Sequence, residues 1–113
     1  MERNYKVYLN DILESITRIE SYSRGVSFEK FSDDLMIQDA ILKNLMVIGE
    51  VAKNIPEEIR QGSPKVEWGE IAGFRDILIH QYFATDLETV WDAVETEIPD
   101  LKRKILALVR KYQ

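Results

Sequence analysis

The chain has 113 residues, 45% of them hydrophobic and 31% charged, and is expected to fold as one globular domain over 1–113. It has no cysteine and one histidine, which excludes disulfides, thiolate catalysis, zinc fingers and any multi-histidine metal site built by one chain; neither metal nor cofactor is expected. A net charge of −5 argues against broad electrostatic capture of nucleic acid, though not against grip on a phosphate at one confined site.

No apolar run approaches the ~20 residues that cross a bilayer, and the stretch from Met1 to Tyr5 opens no signal-peptide core. The expected location is therefore the cytoplasm.

The apolar spacing is helical throughout. Tyr5, Tyr8, Leu9, Ile12, Ile16 and Ile19 recur at three and four residues, which predicts a first helix closed by Gly25. A second stripe runs through Leu35, Ile37, Ile41, Leu45, Ile48 and Ala52 and stops before Pro56, with Ser32 or Asp33 as its cap. On it, Asn44 and Lys53 are assigned to a polar face, and Lys53 is a candidate phosphate contact. Gly49 implies a close helix approach, since glycine costs about 1 kcal/mol relative to alanine inside a helix. Beside it Glu50 either points at the following long helix and pairs with Arg75, or lies on the solvent face.

Two prolines and Gly62 between Pro56 and Val66 predict a short helical turn inside a connection. A third helix is expected from about Trp68 to Phe83. Thr85-Asp86-Leu87-Glu88 then matches a capping box, with Leu87, Val90, Trp91 and Val94 as the stripe behind it. Pro99 either kinks that helix or opens a fifth, and Leu101, Ile105, Leu108 and Val109 carry the pattern to the end. The positive cluster Lys102, Arg103, Lys104, Arg110 and Lys111 reads as a solvated helix end complementing the dipole. The expected fold is all-α, an up-and-down bundle of four or five helices.

The third helix carries the chemistry. Arg75 and His80 are five apart, about 140° and 7.5 Å on an ideal helix, so they do not share a face. Either the helix loosens near His80, or the two groups face one cleft from different angles, or a second copy of the chain closes the site. Asp76 and His80 are i,i+4 neighbours, which lets the carboxylate orient the imidazole. A histidine titrates near ~6.5 and suits proton transfer, while arginine presents a planar fork of donors to phosphate oxygens. Together they suit RNA cleavage by attack of a 2′-hydroxyl on its own phosphate. That reaction needs a base and an acid; one chain has one histidine and a symmetric dimer has two. The plainer reading is a solvated Arg and His near a helix end, with Tyr82 a core or interface aromatic.

Ile71-Ala72-Gly73-Phe74-Arg75-Asp76-Ile77-Leu78-Ile79-His80-Gln81-Tyr82-Phe83 resembles the Arg-x4-His-x-Tyr signature of HEPN-domain proteins of the HepT type. The resemblance extends in order through the segment from Gln38 to Leu45, Ile48 to Asn54, Trp68-Gly69-Glu70 and Asp86 to Trp91. It implies a HEPN bundle, a homodimer with the signature helices facing each other, and a metal-independent endoribonuclease toxin of a type VII-like toxin–antitoxin pair. The implied partner is a minimal nucleotidyltransferase antitoxin that adenylylates Tyr82. On the same resemblance Arg75 contacts the scissile phosphate, His80 is the acid or base, and Asp76 holds the polar position after the arginine. The Asp at 76 departs mildly from the pattern and adds negative charge where RNA must approach. The alternative is a non-catalytic helical adaptor that binds nucleotide, RNA or the nucleotidyltransferase.

Overall fold

In the computed structural model, which describes residues 5–73 and 86–112, the first stripe becomes helix α1 (Tyr5–Ser23) and sinks Leu9, Ile12, Ile16 and Ile19 completely. Tyr5 and Tyr8 stay half-buried at its start. The helix stops where Gly25 takes a φ of +70°, a left-handed conformation that costs a residue without Cβ nothing.

A short helix, α2 (Phe28–Asp33), follows that the apolar spacing had not predicted. Ser27 caps it, its side chain accepting from the Lys30 amide at 3.1 Å. Its purpose is visible in Phe31, which is fully buried and stacks on Trp91 with ring centroids 4.8 Å apart.

Helix α3 (Leu35–Lys53) is capped by Asp34, in place of the expected Ser32 or Asp33; Oδ1 of Asp34 accepts from the Ile37 amide at 3.1 Å. That contact and Lys30 hold the Asp34 carboxyl below the usual carboxylate range. Leu35 does not join the buried stripe and is 74% exposed. It sits about 200° around the helix from Ile37, so one turn cannot bury both. Asn44 is also corrected: it is buried, and its Nδ2 donates to the Ala40 carbonyl at 2.8 Å. Folding back on its own helix satisfies the amide without water. Buried Gln38 does the same between elements, donating to the carbonyls of Phe31 at 2.9 Å and Ser32 at 3.1 Å and so tying α2 to α3.

The expected turn between Pro56 and Val66 is α4 (Glu57–Gln61). Residues 68–73 are helical and form α5, the described part of the expected third helix. The remainder of that helix lies outside the described residues.

Helix α6 (Leu87–Asp92) passes without a break into a π-helical turn (Ala93–Glu97) and then α7 (Ile98–Lys111). Asp86 is the cap where Thr85 was expected: its Oδ1 accepts from the Glu88 amide at 3.0 Å and its Oδ2 from the Thr89 hydroxyl at 2.9 Å. Pro99 stands at the start of α7, just after the π turn, so helix runs on through it while the α-helical bonding pattern is interrupted there. A proline inside an α-helix removes one amide and pushes its ring against the carbonyl four residues back. The wider turn relieves that crowding, with the Ile98 amide donating five residues back to Ala93.

Helices α1 and α7 run antiparallel. Tyr5 meets Tyr112 edge-on at 5.5 Å at one end, and Lys102 donates to Glu20 at 3.0 and 3.1 Å at the other. Helix α1 packs against α3 on one side and α7 on the other, and one continuous cluster of buried residues joins them to α2, α4 and α6. The bundle is all-α, with no strand among the described residues.

The basic cluster is not a single helix end. Lys102, Arg103 and Lys104 lie in the first half of α7, where Arg103 and Lys104 pair with Asp100 at 2.8 and 2.9 Å. Only Arg110 and Lys111 sit in the last turn, near the negative end of the dipole. Among the described residues no helix is long and apolar enough to cross a membrane.

Replacing Phe31 by alanine removes a buried ring from the contact between α2 and α6. A loss of about 3–5 kcal/mol in unfolding free energy is expected by chemical denaturation. Asp34→Ala should cost about 1 kcal/mol through loss of the cap.

Candidate active site

The residues just before the signature segment are held at a fixed point. The Trp68 ring is buried, and its Nε1 donates to the Ser63 hydroxyl at 2.9 Å. That hydroxyl in turn donates to the carbonyl of Ile59 on α4. Among the described residues each buried side-chain nitrogen or oxygen has a partner, and here the bonds tie the start of α5 to the end of α4. The connection is pinned further along, where Lys111 donates to the Gly62 carbonyl at 2.6 Å and the Tyr112 hydroxyl lies 2.6 Å from where a Gly62 Cβ would stand. On the far side of the segment, the described residues resume at the Asp86 cap.

Arg75, Asp76, His80 and Tyr82 lie between these two anchors and outside the described residues. Glu50 is described: it is exposed on α3 and accepts from the Asn54 side chain at 3.4 Å. Lys53 is exposed one turn further on, as its polar-face assignment requires. The pairing of Glu50 with Arg75 lies outside the described residues.

Beside α5 lies a cleft of about 500 Å³ between α3, α5 and the rod formed by α6, the π turn and α7. Its floor is apolar, with Leu45 and Ile48 from α3, Ile71 from α5, and Ile98 and Leu101 from α7. Around the mouth stand Glu67, Glu70, Glu97, Asp100 and Lys104. A hydrogen bond with Glu67 raises the Glu70 carboxyl above the ordinary range; the Glu67 charge, some desolvation and the Glu97 charge push it the same way. Asp100 is held low instead, by its contacts with Lys104 and Arg103. Among the described residues no group of three or more His, Cys, Asp or Glu is arranged to hold a metal ion.

The acidic mouth was missed in the sequence. Glu67 and Glu70 are spaced i,i+3, a visible signal, but Glu97 joins them only because the π turn presents it to α5.

The pattern of ribonuclease HepT-like proteins matches residues 12–108, which takes in the Ser63, Trp68 and Asp86 anchors. The chain belongs to the HepT-like ribonuclease family. Among its relatives is a protein of Thermococcus cleftensis named as a probable ribonuclease HepT, 43% identical over 92% of this chain and 94% of the relative. A candidate RNase of Methanocaldococcus jannaschii is 38% identical over 99% of this chain and 93% of its own length. Another protein of that organism, named as a gamma-glutamylcyclotransferase and candidate RNase, is 40% identical over 98% of this chain. The chain spans about half the length of that last relative, 50%. No solved structure gives a significant match.

Two measurements check this part of the fold. Ser63→Ala strands the Trp68 N–H in the core and should cost about 1–3 kcal/mol in chemical unfolding, against a smaller loss for Ser63→Thr, which keeps a hydroxyl. Glu70→Gln should raise the melting temperature near neutral pH. A carboxyl whose pKa is raised by folding stabilises while protonated, below its unfolded pKa, and that contribution is lost as pH rises through the folded value. The advantage of the Gln variant should therefore vanish in acid.

Proposed function

We propose that this protein is a metal-independent endoribonuclease in which Arg75 and His80 act at one phosphodiester. The observation that carries the reading is the family match over residues 12–108 with the Arg75-x4-His80-x-Tyr82 signature inside it. In this reaction the 2′-hydroxyl of RNA attacks the adjacent phosphorus and the P–O5′ bond breaks. The products are a 2′,3′-cyclic phosphate and a free 5′-hydroxyl. A base must accept the 2′-hydroxyl proton and an acid must supply one to the leaving oxygen. The imidazole of His80 has the right ordinary pKa for either role, and a homodimer supplies two such groups. The Arg75 guanidinium offsets charge that accumulates on the non-bridging oxygens. Asp76, one turn before His80, orients the imidazole, and Glu50 is a supporting group.

The regulation follows from the same geometry of spacing. Tyr82 is two residues from His80, so an AMP group on its phenolic oxygen places a bulky anion where the substrate phosphate must sit. A minimal nucleotidyltransferase antitoxin as the modifying partner would make the pair a toxin and its neutralising enzyme, of the type VII-like kind, and the cytoplasm is the compartment where both meet RNA.

Purified protein in excess chelator should cut total RNA, and Arg75→Ala and His80→Ala should each lower the rate by about a hundredfold or more with unchanged thermal melts. RNA binding without cleavage in the unsubstituted protein would instead favour the adaptor reading. Tyr82→Phe should cleave normally and escape adenylylation, followed by intact mass; cleavage by fully adenylylated protein would refute the regulatory half.

A further inference from the structure

Among the described residues, the cleft beside α5 joins an apolar floor to a mouth of four carboxylates and one lysine. Leu45, Ile48, Ile71, Ile98 and Leu101 offer a surface that favours aliphatic side chains, and the volume of about 500 Å³ is room for a few of them. At the mouth, Asp100 is already neutralised by Arg103 and Lys104 at 2.8 and 2.9 Å. Glu67, Glu70 and Glu97 are crowded against one another, and no ion pair from a described residue relieves them.

We propose that this cleft docks a cationic amphipathic segment of another protein, with aliphatic side chains set into the floor and lysine or arginine against Glu67, Glu70 and Glu97. The charge chooses among occupants. RNA brings phosphates to three carboxylates and is repelled. A second copy of this chain, which the proposed dimer would join through the signature helices and not here, brings a net charge of −5 to this acidic mouth. A basic segment relieves the like-charge crowding and buries its apolar face in one step.

The test uses the full chain and two synthetic fluorescein-labelled peptides. Both carry leucines spaced i, i+4, i+7; one has lysines at the flanking positions and the other glutamates. In fluorescence anisotropy at physiological salt the lysine peptide should bind saturably and at least about tenfold more tightly than the glutamate peptide. Glu70→Lys and Glu97→Lys, both exposed positions, should each weaken the lysine peptide several-fold and strengthen the glutamate peptide, with melts confirming the fold. Methyl NMR should place the lysine peptide's shifts on Ile48, Ile71, Ile98 and Leu101. Equal binding of the two peptides, no saturable binding of the lysine peptide, indifference to both variants, or shifts elsewhere would each overturn the proposal. Self-association that changes with Glu70→Lys while the peptide does not bind would assign the cleft to a second copy instead.

Discussion

The structure depends on the requirement that α1 hide a complete aliphatic face. Leu9, Ile12, Ile16 and Ile19 lie on consecutive turns and are fully removed from water, and no single neighbour covers such a stripe. Helix α3 takes one flank and α7 the other. Each buried aliphatic side chain contributes about 1.5–3 kcal/mol relative to exposure, so this face outweighs any of the surface ion pairs, which contribute at most about 1 kcal/mol. The pairs act on direction rather than stability: Glu20 with Lys102 and Tyr5 with Tyr112 set α7 antiparallel to α1.

Once that packing is set, the remaining elements resolve conflicts that it creates. The path from α1 to α3 is turned by α2, whose Phe31 fills the space over Trp91. Pro99 sits in the rod that must lie along α1, and a π turn keeps the rod continuous without forcing the proline ring into a carbonyl. That same turn brings Glu97 to the mouth of the cleft and Ile98 to its floor. An accommodation to one residue's covalent geometry thereby shapes a surface against α5.

For function, the bundle fixes the described residues on either side of the signature segment, Gly62, Ser63 and Trp68 before it and Asp86 after it. Groups that must meet at one phosphorus are sensitive to displacements of an ångström, so rigid anchors on either side are what the proposed chemistry needs from the scaffold.

Much of this was legible in the chain itself. Apolar residues at three and four predicted α1, α3, α6 and α7, because helical periodicity is a local property that a linear pattern carries. The family resemblance rested on the signature and the blocks around it, and the family match over 12–108 agrees with it. Which cap closes a helix was misplaced by a residue or so at Asp34 and Asp86, since neighbouring Ser, Thr and Asp compete and backbone geometry picks one. Asn44 was assigned to the surface from its polarity, but its amide bonds to its own helix and can be buried. Leu35 was assigned to the core from its hydrophobicity, yet it lies on the outer side of the first turn of α3 and stays exposed. Tertiary structure alone decided that Phe31 would need a helix of its own and that Glu97 would stand beside Glu70. Each of these is a contact between segments far apart in the chain, and such contacts are set by what packs around them, which no local pattern encodes.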